Sequence, residues 1–147
     1  MEEDLDKVYG LAKSLGVPEF ELNGVKFLVI PSNISIKAGD SLDIIILFNN
    51  TINMNASVFV KLSLPENTEE YLSSKPKEDV FWFFTISGEQ YDGMVFNIKS
   101  TIKTPKKKYS FIITVGKTKE EVKELRKEDI KNLIKDYKTL NLNIDVV

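Results

Sequence analysis

The sequence predicts a mainly β domain, an antiparallel sandwich of about eight strands with an amphipathic helix packed on it near each end. Three observations carry this. Apolar residues alternate with polar ones through the centre of the chain, as in residues 56–64, where Val58, Val60, Leu62 and Leu64 share one face. Turn residues punctuate these runs at Asn23-Gly24, Gly39-Asp40, Ser87-Gly88 and Thr104-Pro105. Helical spacing of apolar residues is confined to the two ends of the chain, so no helices separate the strands as a parallel α/β sheet requires.

A helix is predicted over residues 4–16, where Leu5, Val8, Leu11 and Leu15 recur three or four apart. Acidic residues crowd its first turn, Gly16 supplies a stop, and Pro18 prevents resumption. Asn23-Gly24 favours a type I′ turn and so a hairpin, whose second strand runs to Pro31. Residues 34–36 and 41–48 read as strands either side of Gly39-Asp40. The second of these is apolar at Ile45 and Leu47 as well as at Leu42, Ile44, Ile46 and Phe48, so it should be covered on both faces. A charged loop is expected over residues 66–79, with at most a helical turn near Tyr71. The run 80–86, apolar on both faces, places Trp82 in a buried strand, and strands over 94–99 and 109–115 complete the sandwich core, 20–115. Thr118 and Glu121 match a capping box. Val122, Leu125, Ile130, Leu133, Ile134 and Tyr137 then suggest a helical region over 118–140, kinked or split into two short helices at 127–129, before a last strand over 141–147. Nothing divides residues 1–147 into more than one domain. One sheet should therefore carry helix on its outer face.

Composition narrows the chemistry. The chain has no His and no Cys. This excludes histidine-based triads, thiol nucleophiles, disulfides and the common zinc and iron sites. No cofactor is expected. Net charge is −2, with charged residues of both signs interspersed at 29%. That is not a nucleic-acid-binding surface. No stretch reaches the roughly 18 apolar residues of a membrane-spanning helix. The acidic start, Met1-Glu2-Glu3-Asp4, is unlike a signal peptide and favours a cytoplasmic location for the chain as given. Cutting from a longer exported parent would instead make it extracellular. The sequons at Asn33, Asn49 and Asn55 tilt slightly that way. Abundant Lys, Glu and Ile without Cys fit a thermophilic or archaeal source, against which the many Asn residues count.

Pro31, then Ile34 with Gly39-Asp40 and Leu42 ahead of a long strand, the polar Asn49-Asn50, the alternating run 56–64, and Thr104-Pro105 before the strand 109–115 resemble an immunoglobulin-like sandwich of the CARDB-like kind. Such domains occur as adhesion and spacer modules. The resemblance spans residues 31–115 and implies no catalytic residues and surfaces for protein or sugar contact. The terminal helices and the first hairpin depart from it.

The candidate sites follow from these readings. A non-catalytic protein-interaction or scaffolding role is expected, with a protein partner or self-association. The partner surface is placed beside the loop 66–79, at Tyr71 and Leu72, together with Leu5, Val8 and Leu11 of the first helix. Apolar anchors in a polar rim are how interfaces are built. Lys106, Lys107 and Lys108 form a basic patch at a hairpin tip. Two alternatives remain: a structural subunit of a cell-surface or viral assembly, and a carboxylate-based carbohydrate-active enzyme or carbohydrate-binding module. For the latter, Glu69-Glu70, Glu120-Glu121 and Glu128-Asp129 read as solvated pairs, because adjacent residues do not share a helix face. Asp40, Asp43 and Asp92 fit turns better than a calcium loop.

Overall fold

The structure, a computed structural model, describes residues 2–119 and 133–147. Helix α1 (Glu2–Ser14) precedes ten strands: β1 (Phe20–Leu22), β2 (Val25–Pro31), β3 (Ser35–Ile36), β4 (Ser41–Asn50), β5 (Ala56–Ser63), β6 (Leu72–Lys75), β7 (Trp82–Ile86), β8 (Tyr91–Ser100), β9 (Lys108–Thr118) and β10 (Ile134–Val146). One five-stranded sheet has the order β1-β2-β4-β8-β6, the other β3-β10-β9-β5-β7. All pairings are antiparallel except β3 with β10. The fold is mainly β, a two-sheet sandwich.

Local chemistry accounts for the elements. Asn23 and Gly24 adopt φ of 46° and 89°, as the β1–β2 turn demands. Period-two patterning sends Phe27, Ile44, Ile46 and Phe48 of one sheet against Val58, Val60, Phe111 and Ile113 of the other, all essentially solvent-free. Each such aliphatic or aromatic side chain contributes about 1.5–3 kcal/mol by leaving water. The second face of β4 is covered as expected: Leu47 is buried and Ile45 half-buried under α1, with Leu28 beside them.

Several expectations need correction. The helical region expected over 118–140 is mostly strand where it is described, Leu133 alone being helical. Thr118 ends β9 and residues 134–140 belong to β10, which pairs with β9 from Ile134 to Asp145. Residues 120–132, with Glu121, Val122, Leu125 and Ile130, lie outside the described residues. Helical spacing at Leu133, Ile134 and Tyr137 was a weak signal beside the alternation of Leu140, Leu142, Ile144 and Val146, which a long ladder partner extends backward. Among the described residues α1 alone places helix on a sheet. On the outer face of the second sheet, among the described residues, Phe59 meets Phe81 and Phe83 at centroid distances of 5.3 and 5.9 Å. Trp82 is only half-buried, because β7 is an edge strand, and its indole N–H donates to the Lys77 carbonyl (3.0 Å). The loop 66–79 contains strand β6, paired with β8. With it the strands number ten among the described residues, where about eight were expected.

Candidate functional site

Helix α1 is held by a face different from the one its leucines suggest. Tyr9 and Ala12 are buried against Leu28 and Leu47, with Leu5 half-buried beside them. The Tyr9 ring meets Tyr91 edge-on at 5.4 Å, and its hydroxyl donates to Glu19 Oε2 at 2.8 Å. Burial, then the hydrogen bond and charge of Glu19, hold the Tyr9 phenol far above its ordinary range. Lys13 and Lys26 approach the other oxygen of Glu19 at 3.5 and 3.9 Å, tying the helix end to β2. Gly16, at φ 92°, closes a Schellman motif: its N–H donates to Lys13 and the Val17 N–H to Ala12. Val17 then packs in the same cluster as Ala12.

This anchoring turns the leucine stripe sideways. Val8, Leu11 and Leu15 are 47%, 60% and 75% exposed. Asp4 precedes Val8 by four residues, so it continues the same flank. A groove of about 460 Å³ opens beside this flank, with Leu5 and Val8 as one wall and Ile45 and Val95 in its floor. Val95 is itself 47% exposed. Gly93 matters here because a Cβ would meet Leu47 Cδ2 at 3.1 Å and Leu5 Cδ2 at 3.8 Å, so glycine lets the helix sit close to β8. Asp92 lines the same groove.

The other sequence-predicted residues are not brought to this surface. Leu72 is 4% exposed, in β6, and Tyr71 is half-buried against the main core. Their backbone is fixed by Thr68, whose carbonyl accepts from both N–H groups (2.9 and 2.8 Å). Leu72 is a core residue and offers nothing to a partner. Lys106, Lys107 and Lys108 are exposed at the turn into β9, with the Lys107 ammonium 5.2 Å from the Tyr109 ring centroid. Asp40, Asp43 and Asp92 serve turns and strands, accepting from Lys37 N, Asn97 Nδ2 and Gly93 N. Among the described residues no group of three or more acidic side chains converges as a metal site would need. Sequence reading missed Val95 as a surface residue, since it lies on a strand whose apolar residues read as core. It also missed Tyr9 as the helix anchor, although Tyr9 and Leu5 are four apart.

No family model matches the chain, and no curated protein matches it. Solved structures resemble it in fold. A FixG-related protein from Vibrio parahaemolyticus shares 5% identity over 85% of this chain and 98% of that one, with a TM-score of 0.52. A family 123 glycoside hydrolase from Clostridium perfringens shares 14% identity over the whole of this chain but 25% of its own length, with a TM-score of 0.54. The CARDB domain of a Pyrococcus furiosus protein is also among the neighbours, at 12% identity over 90% of this chain and 97% of that one, with a TM-score of 0.48. These likenesses, at 5–14% identity, are of fold alone.

Proposed function

We propose that this chain is a non-catalytic protein-interaction module that receives a partner along the exposed flank of α1. The observation that carries this is the exposure of Val8, Leu11 and Leu15 on a helix anchored by other residues, next to the groove over Ile45 and Val95. Their burial is not needed to seat the helix, and a contiguous apolar surface of this kind marks an interaction site. The occupant is a protein segment whose apolar side chains are flanked by Lys or Arg. Asp4 and Asp92 border the surface, and among the described residues neither is in an ion pair. Complementary charge would set partner choice and association rate. The lack of His and Cys supports a binding role over catalysis.

The test compares the wild-type chain with Leu11→Ser/Leu15→Ser, Asp4→Lys and, as a control, Lys107→Ser. The double serine variant should keep its denaturant midpoint, because exposed positions change stability by only about 0.5 kcal/mol. A partner captured by the wild type and by Lys107→Ser, lost by the serine and Asp4→Lys variants, and carrying a basic apolar segment that binds by itself, supports the proposal. Equal capture by all variants overturns it. Concentration-dependent dimerisation abolished by the serine pair would make the occupant a second copy and overturn the basic partner. Turnover of any glycoside in a panel by the wild type would overturn the non-catalytic reading.

A further inference from the structure

β10 is paired along one side only. It meets β9 from Ile134 to Asp145, but on its other side β3 reaches only Asp145 and Val146. The ladder fixes which backbone groups point outward. The Val146 N–H donates to the Lys107 carbonyl on the β9 side, and the Asp145 N–H to the Ile34 carbonyl on the β3 side. Alternation therefore turns the N–H and C=O of Tyr137, Thr139, Asn141 and Asn143 away from β9, toward the lane that β3 occupies further on. Among the described residues, the outward N–H groups of Thr139, Asn141 and Asn143 and the carbonyls of Tyr137, Thr139 and Asn141 make no hydrogen bond.

Such an edge is a template for another strand, and sheets blunt it in known ways. The edge strands β1, β3, β6 and β7 are short, at three, two, four and five residues. β10 instead offers its edge from Tyr137 to Asn143, roughly 20 Å of backbone. Its first part is protected. Ile134 pairs with Thr118 and Asp136 with Lys117, so Lys135 is the extra residue of a β-bulge. The outward Tyr137 N–H donates to the carboxylate of Asp136 at 2.9 Å. The stretch Thr139-Leu140-Asn141-Leu142-Asn143 has no charge, no proline and no break in register.

The side chains along the edge select its occupant. Leu140 and Leu142 face the first sheet and are only half-buried, at the rim of the core. Lys138, opposite Val115 in the ladder, shares their side of the strand, is exposed, and has no carboxylate partner among the described residues. A strand laid antiparallel on this edge places alternate side chains beside Leu142, Leu140 and Lys138 in turn. Aliphatic groups fit the first two and a carboxylate the third. A second copy fits worse. Two-fold pairing centred on Leu140 or Asn141 drives the start of β10 into the lane filled by β3 of the other copy. Centred on Lys138 or Thr139, it sets the two Lys138 side chains together and needs the Tyr137 N–H that Asp136 holds.

We infer that residues 138–143 of β10 receive an extended segment of a partner protein, added antiparallel in line with β3, with two alternate aliphatic side chains followed by a carboxylate. Main-chain hydrogen bonds supply the affinity, and Leu142, Leu140 and Lys138 the selectivity. The edge belongs to the sheet opposite α1 and stands whether or not a protein docks on that helix.

The test titrates a fluorescein-labelled peptide, Thr-Val-Thr-Ile-Thr-Glu, with the full chain by fluorescence polarisation. Two control peptides end in Lys or carry N-methyl groups on the threonines, whose amides face β10. Saturable binding that is about tenfold weaker for both controls, with the largest amide shifts at Thr139, Asn141 and Asn143, supports the inference. Lys138→Glu alters an exposed side chain and should reverse the preference between the Glu-ended and Lys-ended peptides. Asn141→Pro deletes one outward N–H that the ladder does not use and should abolish binding, while Leu11→Ser/Leu15→Ser leaves it unchanged. If Asn141→Pro fails to fold, the Lys138→Glu reversal decides alone. No saturable binding at millimolar peptide, equal binding of the N-methylated peptide, or a preference that Lys138→Glu does not move overturns the inference. Dimerisation of the wild type that Asn141→Pro removes would make the occupant a second copy and overturn the acidic partner.

Discussion

Gly116→Ala tests how the outer face of the second sheet is built. Gly116 lies in β9 opposite Phe59 of β5, and the Phe59 side chain crosses over it. A Cβ at Gly116 would overlap Cε1 and Cζ of the Phe59 ring. That ring has little room to yield, being 1% exposed and held between Phe81 and Phe83. Forcing one extra methyl into such packing costs about 1–3 kcal/mol. Replacing glycine at an ordinary strand φ returns roughly 0.4–1 kcal/mol by restricting the unfolded chain. The net expectation is a loss of about 1–2 kcal/mol, or roughly 3–6 °C in the thermal midpoint for a domain of this size. Urea denaturation of four proteins closes the cycle: wild type, Gly116→Ala, Phe59→Ala and the double variant. Phe59→Ala alone should cost about 3–5 kcal/mol. In its background the new methyl enters the vacated space, so Gly116→Ala becomes neutral or stabilising. The coupling then exceeds about 1 kcal/mol, as expected for residues in contact. A neutral Gly116→Ala in the wild type, or costs that simply add, would refute the crossing of Phe59 over Gly116.

Two further substitutions probe buried polar groups. Asn50 is fully buried, and its amide faces the carbonyls of Met54, Ile86 and Ser87 at 2.9–3.1 Å, while its Oδ1 accepts from Ile52 N. Asn50→Ala should cost about 2–3 kcal/mol by stranding these groups, and Asn50→Asp more, since it sets a carboxylate against carbonyl oxygens; urea midpoints at neutral pH ranking Asp above Ala would contradict this. Because burial lowers the Lys117 pKa, the folded chain binds fewer protons than the unfolded one between the folded and unfolded values. Stability should therefore rise with pH across that interval. Lys117→Met should be at least as stable as the wild type at pH 7 and lack the alkaline rise, which denaturation curves between about pH 7 and 10 would show.

The sequence by itself determined the elements whose periodicity and punctuation agree. Asn23-Gly24 specified the first hairpin, Gly16 marked the end of α1, and alternation assigned the inner faces of β4 and β5. The double apolarity of β4 correctly announced a helix on its outer face. The absence of His and Cys removed whole reaction classes. Tertiary structure decided the rest. Residues 134–140 carry a helix-like stripe, and only pairing with β9 makes them strand, because ladder hydrogen bonds and a shared inner face outweigh a weak local preference. Which face of α1 is buried could not be read from its leucines, since anchoring depends on Tyr9 reaching Tyr91 and Glu19. Leu72 read as an exposed anchor because nothing in a charged loop predicts an edge strand paired to β8. The approach of Lys135 to Lys117 was least legible of all. Lys117 and Lys135 are eighteen positions apart in sequence, and only a bulge in the β9–β10 ladder sets them side by side. Periodicity reports which side chains share a face of one element; register and bulges, fixed by packing between elements, decide which faces meet.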